Sequence, residues 1–169
     1  MSLLNKLRNS GKKEYYVNEI IYKGKSKFYL WCEGDKKDLF LCMGSNLLRF
    51  NSAVEALQYG KDNDLRVVNE KDKFIIHRVF VPGNGMDCEY FLSMWNYTSD
   101  ICNSVGKRFW GDSKNKMITK VYDKVFWGSN LPAVTPDNEN YTPYFNWAEC
   151  LLLKVLYRTF VKIFKEYLA

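Results

Sequence analysis

The chain has 169 residues, of which 47% are hydrophobic and 17% aromatic, and it carries a net charge of +6. That length suits one domain (residues 1–169) with a real core, and that apolar content excludes disorder for the bulk of it. No apolar run approaches the roughly 20 residues of a bilayer span, and the basic start has no stretch long enough for a signal peptide, so the expected setting is the cytoplasm, with no membrane partner.

In chain order, Met1 to Lys13 reads as a basic lead with one leucine-bearing turn (Leu3, Leu4, Leu7), broken at Ser10-Gly11. Tyr15 to Tyr22 is rich in β-branched and aromatic residues, the composition of a strand. Lys23-Gly24-Lys25 is turn chemistry. Lys27 to Glu33 is the next strand, with Phe28, Leu30 and Cys32 on one face and Tyr29 and Trp31 on the other; two apolar faces place it centrally in a sheet. Gly34-Asp35-Lys36 turns the chain into Leu39 to Met43, completing an antiparallel meander. Ser52 followed by Glu55 is a capping box, and Val54, Leu57 and Tyr59 of the helix it opens are expected to face the sheet, with a stop near Gly60. Leu65 to Val68 is a short strand, and Phe74 to Val81 is the strongest strand signal in the chain, ended by Pro82-Gly83-Asn84-Gly85.

That tetrad divides a sheet-rich part (1–85) from a helix-rich part (86–169). Asp87 caps a helix whose stripe is Cys88, Phe91, Leu92, Trp95, Cys102 and Val105, and Gly106 ends it. A loop with Phe109-Trp110 leads to Lys116–Trp127, where Met117, Val121, Tyr122, Val125 and Phe126 recur at helical spacing. Gly128 is expected to close this helix in the left-handed conformation, and Pro132 and Pro136 to keep the next residues extended. After the polar loop Asp137 to Thr142, Asn146 and Glu149 open the last helix. Its apolar positions, Ala148, Leu151, Leu152, Val155, Leu156, Phe160, Ile163, Phe164 and Tyr167, run for about five turns. Leu153, Tyr157 and Val161 widen that face, so the helix is expected to be clasped on more than one side. The fold class is α+β: an N-terminal antiparallel sheet packed by helices mostly from the C-terminal half.

No P-loop, dinucleotide-binding glycine motif or nucleophile elbow is present. Five scattered cysteines without a C-x-x-C pair read as core residues in a reducing compartment rather than as disulfides or a zinc site. The one histidine, His77, reads as a half-buried strand residue. Its nearest cysteine, Cys88, lies on an apolar helix stripe, where a thiol is inert. Asp100 and Asp123, on different helices, read as caps or partners of a lysine such as Lys124. No catalytic residue, metal or cofactor is expected.

Residues 1–85 hold 15 Lys/Arg against 10 Asp/Glu, and residues 86–169 hold 10 against 9. The lysines at 23, 25 and 27, interleaved with Tyr15, Tyr16, Tyr22, Phe28, Tyr29 and Trp31, admit a nucleic-acid-binding sheet as an alternative function. The same lysines also serve as guards of a strand edge.

Three segments read together are more specific: FLSMWNYTSDICNSVG (Phe91 to Gly106), VYDKVFWGSNLPAVTP (Val121 to Pro136) and YTPYFNWAECLLLKVL (Tyr141 to Leu156). In this order they resemble immunity proteins of bacterial contact-dependent growth inhibition and related polymorphic toxin systems. The residues that carry the resemblance are Trp95, Asn96 and Asp100; Tyr122 to Lys124, Phe126 to Gly128, Asn130 to Ala133 and Thr135-Pro136; and Tyr141 to Pro143. The resemblance implies a non-enzymatic inhibitor that binds a cognate toxin C-terminal domain, commonly a nuclease, one to one in the cytoplasm of the producing bacterium. Inhibitors of nucleases are often acidic, because they compete with a phosphate backbone for a basic cleft. This basic chain therefore implies either a toxin with an acidic surface or a local acidic patch. Asp137 and Glu139, with Asp112, are the candidate patch, and Trp110 and Tyr141 the aromatic contacts beside it.

Overall fold

The computed structural model describes residues 13–77, 79–132 and 140–168. The chain divides into two compact units, one of Met1–Arg78, Asp100–Lys107 and Tyr167–Ala169, the other of Val79–Ser99 and Arg108–Glu166. Strands dominate the first and helices the second, a mixed α/β protein of the expected class.

In the first unit, β1 (Glu14–Tyr22) and β2 (Lys25–Cys32) form an antiparallel hairpin closed by Lys23 and Gly24. Both turn residues have positive φ (52° and 76°), the two-residue turn whose twist matches that of the strands. On the other side of β2 lie β3 (Leu39–Phe40) and β6 (Arg49–Phe50), while β4 (Cys42–Met43) and β5 (Asn46–Leu47) pair with each other. The central position expected for β2 is observed. Helix α1 (Ala53–Asp62) then carries the chain to β7 (Arg66–Ile76), which lies parallel to β1 with a register shift between Tyr16 and Val17. The antiparallel sheet expected from the sequence is found, with β7 on β1 as its one parallel pair among the described residues, because a helical crossover delivers the next strand in the same direction.

β7 also fuses the two strands expected at 65–68 and 74–81, and it stops at Ile76, opposite Tyr22, where β1 itself turns. Val79 and Val81 pair with no strand among the described residues and are exposed. A strand extends only as far as its ladder.

Helix α1 begins at the expected cap. Ser52 Oγ accepts the Glu55 N–H at 3.1 Å, while the Glu55 carboxylate accepts the N–H of Asn51 at 2.8 Å, one residue before the cap. The face it buries is Ala53, Ala56 and Gly60; Val54, expected inward, is 74% exposed. The reason is close approach, since a Cβ on Gly60 would run into the Val67 side chain, so only small residues fit there. These residues complete a core with Val17, Leu30, Cys32, Leu41 and Phe50.

Helix α2 (Cys88–Ser104) starts at Asp87, whose carboxylate accepts the Tyr90 N–H at 2.9 Å. It ends at Gly106 (φ 72°), with Lys107 N–H bonded to Cys102 O and Gly106 N–H to Asn103 O, the paired closure that a left-handed glycine allows. Its last turn belongs to the first unit. There the Trp31 indole N–H donates to Asp100 at 3.1 Å, and the Phe40 N–H to Ser104 Oγ at 2.7 Å.

The second unit is built from the rest of α2, a 3₁₀ turn (Trp110–Asp112), α3 (Lys116–Gly128) and α4 (Trp147–Tyr167). Its core is aromatic: Phe160 meets Phe91 at 5.2 Å, Phe109 at 5.9 Å and Trp95 at 6.0 Å between ring centres. Two phases differ from those expected. On α3 the buried set is Ile118, Val121 and Val125, with Met117 turned outward, because the Asn115 cap sets the phase of the first turn. On α4 the core takes Glu149, Leu153, Leu156, Phe160 and Phe164, while Leu151 and Val155 face solvent. α4 thus has one core face and one open face.

Candidate functional site

The segment between α3 and α4 owes its shape to side chains. Gly128 closes nothing in the left-handed region; it is the last residue of α3. What it supplies is space, since a Cβ there would come within 2.7 Å of the Pro143 ring and 2.9 Å of Cys88 Sγ. The left-handed residue is Asn130 (φ 50°), a type that tolerates it. Its amide accepts the Tyr141 N–H at 2.7 Å and donates to the Tyr141 carbonyl at 3.2 Å. Asn84, of the expected turn tetrad, does the same for Phe145, accepting its N–H at 2.7 Å and donating to its carbonyl at 2.9 Å. Two asparagine amides thereby do for Tyr141 and Phe145 what a neighbouring strand would do.

Below this segment lies a buried carboxylate. Glu149 is fully buried, and it forms a reciprocal cap with Asn146: Asn146 N–H to the carboxylate at 2.9 Å and Glu149 N–H to the Asn146 side chain at 3.0 Å. One carboxylate oxygen takes Lys124 Nζ at 2.7 Å and the other faces Lys120 Nζ at 3.1 Å. Burial opposes its charge, but the Lys124 and Asn146 hydrogen bonds and Lys120 outweigh burial and hold the carboxyl down at about 2. Lys124 also donates to the Tyr144 carbonyl at 2.7 Å, so it is committed here and not to Asp100 or Asp123.

Beside this scaffold, α2, the 3₁₀ turn and the start of α3 enclose an open cleft of about 350 Å³. Trp95, Ile118 and Tyr122 contribute its apolar surface, with the Trp95 and Tyr122 rings edge to face at 5.2 Å. Asn96, Ser99, Asp112, Lys114 and Thr119 supply polar groups. Asp112 accepts the Ser99 hydroxyl at 2.7 Å. Burial, then the charges of Asp112 and Asp123, raise the Tyr122 phenol above its ordinary range, so it stays a neutral donor. A carboxylate, an ammonium, hydroxyls and an amide over aromatic walls offer both donors and acceptors to a polar group of side-chain size.

Of the residues expected to contact a partner, Trp110 and Asp112 share the 3₁₀ turn but point apart. Trp110 donates its indole N–H to Thr159 on α4 at 3.3 Å, and Asp112 lines the cleft. Tyr141 is 43% exposed on the asparagine-held segment. Asp137 and Glu139 lie outside the described residues. Tyr15 and Tyr29, two aromatics that a base-stacking sheet would need, are buried. Cys88 is buried, and burial with Asp87 pushes its thiol up to about 11. Among the described residues no group of three His, Cys, Asp or Glu is placed to hold a metal ion, and no helix is long and apolar enough to cross a membrane.

Sequence reasoning missed the outward side of α4, where Trp147 is 81% exposed and Leu151 and Val155 follow it. A signal was present: Lys154, Arg158, Lys162 and Lys165 recur on the same side, and anchoring the helix phase on these cations instead of on the leucines finds it.

Fold and site together define a mixed α/β protein with a small cleft and exposed aromatics on a scaffold held by buried polar contacts. No protein-family model, curated protein or solved structure matches the chain.

Proposed function

We propose that this protein is an immunity protein that binds and neutralises a cognate toxin domain, commonly a nuclease in such systems, in the cytoplasm of the producing cell. It acts by occupancy rather than by catalysis. The observation that carries this reading is how the residues of the resemblance are used in the second unit. Trp95 meets Tyr122 edge to face, Gly128 admits Pro143, Asn130 holds Tyr141, and Lys124 neutralises Glu149. These residues are consumed in building the scaffold. Recognition falls to what the scaffold leaves exposed, namely Asp112 and the cleft, Tyr141, Tyr144 and Trp147.

The test is co-expression with the toxin C-terminal domain encoded next to this chain. Restored growth and a one-to-one complex on co-purification are expected. Continued toxicity, with the protein folded and present in excess, would sink the reading. The competing nucleic-acid reading predicts salt-dependent RNA binding through Lys23, Lys25 and Lys27.

A further inference from the structure

The exposed side of α4 has a composition of its own. At about 100° per residue, Trp147, Leu151 and Val155 fall within one arc roughly 100° wide, opposite the core-facing Leu153, Leu156, Phe160 and Phe164. Lys154, Arg158, Lys162 and Lys165 fall in that same arc and are all exposed. The arc holds no carboxylate, and among the described residues none of the four cations forms an ion pair. It extends about 27 Å along the helix at about 1.5 Å per residue. Tyr144, three residues before Trp147, is 74% exposed.

We propose that this face of α4, anchored by Trp147, is the docking surface for an acidic face of the toxin domain; the inference rests on the immunity reading and adds where and with what charge the partner binds. Charge decides the occupant. Four unpaired cations on one arc call for carboxylates opposite them, and a second copy of this chain would bring four more cations instead. Lipid fits poorly, because an interfacial helix separates its apolar from its cationic side, whereas here Lys154 and Arg158 sit among Trp147, Leu151 and Val155. Nucleic acid fits the cations but gives Leu151 and Val155 nothing to pack on. A protein surface uses all seven: an aromatic anchor and aliphatic neighbours to exclude water, and a cationic rim to steer and orient. A basic inhibitor thus reaches its toxin without imitating a phosphate backbone, by docking on acidic surface away from any basic substrate cleft.

The experiment measures binding of the neighbouring toxin domain, carrying an inactivating substitution, to the intact chain and to four variants. The double variant Lys154→Glu/Arg158→Glu is expected to bind about 30-fold or more weakly, mostly through slower association and with a flatter salt dependence. Trp147→Ala is expected to lose about 10- to 100-fold, mainly in dissociation. Lys162→Glu/Lys165→Glu gives an independent reading of the charge, and Lys25→Glu/Lys27→Glu, on the hairpin of the first unit, is expected to bind as the intact chain does. Thermal unfolding checks that each is folded. If the intact chain binds and the α4 variants bind equally, this inference fails and the immunity role stands. If the intact chain does not bind the toxin domain, the immunity reading fails and this inference with it. Retention on phosphatidylserine vesicles or on oligouridine, abolished by the α4 variants while toxin binding is unchanged, assigns the face to lipid or nucleic acid and overturns the proposal.

Discussion

The two compact units satisfy their backbones by different means. In the first, β1 lends its N–H and C=O groups to β2 on one side and β7 on the other, and the ladder carries the order. In the second, residues 140–146 form no helix or strand, and a few side chains hold them: Asn130 on Tyr141, Lys124 on Tyr144, Asn84 on Phe145. A ladder spreads its stabilisation over many equivalent bonds, so no one solvent-facing side chain matters much. A segment held by three polar side chains concentrates it, and each becomes a point of failure. Close approach by glycine occurs in both units, at Gly60 beside Val67 and at Gly128 beside Pro143.

The largest effect expected from breaking this contrast is at Lys124. Lys124→Met leaves Glu149 fully buried with only the more exposed Lys120 and its cap for company, and should cost about 3–5 kcal/mol in chemical denaturation at neutral pH. A loss below about 1 kcal/mol would mean that the Asn146 cap and Lys120 suffice. Acid should act on the same group. The Glu149 carboxyl ordinarily titrates near 4.5 and is held at about 2 in the folded chain, so its contribution is complete above pH 4.5 and drains away as pH falls toward 2. Glu149→Gln should therefore be less stable than the parent at neutral pH and show a flatter acid limb. Denaturation midpoints across that range for both proteins check it.

Gly60→Ala and Gly128→Ala probe the close approaches, and each should cost about 1–3 kcal/mol by forcing neighbours apart. Gly128→Ala should also raise hydrogen exchange at Tyr141 and Phe145, whereas Gly60→Ala should leave those amides alone. Asn130→Ala removes both bonds to Tyr141 and should cost about 1–2 kcal/mol, with added strain from the left-handed backbone. Asn130→Gly should recover only the strain. The smallest effect lies in the ladder unit: Lys23→Asn suits the positive φ of the hairpin turn and should stabilise by about a few tenths of a kcal/mol, read as a rise in thermal midpoint.

Much of the architecture was legible because its signals are local. Lys23-Gly24 specifies a tight hairpin, Ser52 and Asp87 start helices, Gly106 stops one, and Asn146 with Glu149 forms a reciprocal cap, each within a few residues. Phase was harder. Leu151 and Val155 look like core by type, yet they face out, because an apolar repeat on nearly every side of a helix does not say which side the neighbours cover. Of the cleft, only Asp112 was among the residues singled out in the sequence; Trp110 beside it turns to Thr159, and the walls need Trp95 and Tyr122 from two other segments.

The sequence by itself determined the class of fold, the order of most elements and their caps, since these follow from φ preferences and hydrogen bonds that close within a turn. Only the tertiary structure decided that β7 runs parallel to β1, that Glu149 is a buried, doubly paired anion, and that α4 keeps a cationic, tryptophan-led face open. Each of those depends on which distant residues arrive opposite, and a burial pattern belongs to the pair of surfaces that meet.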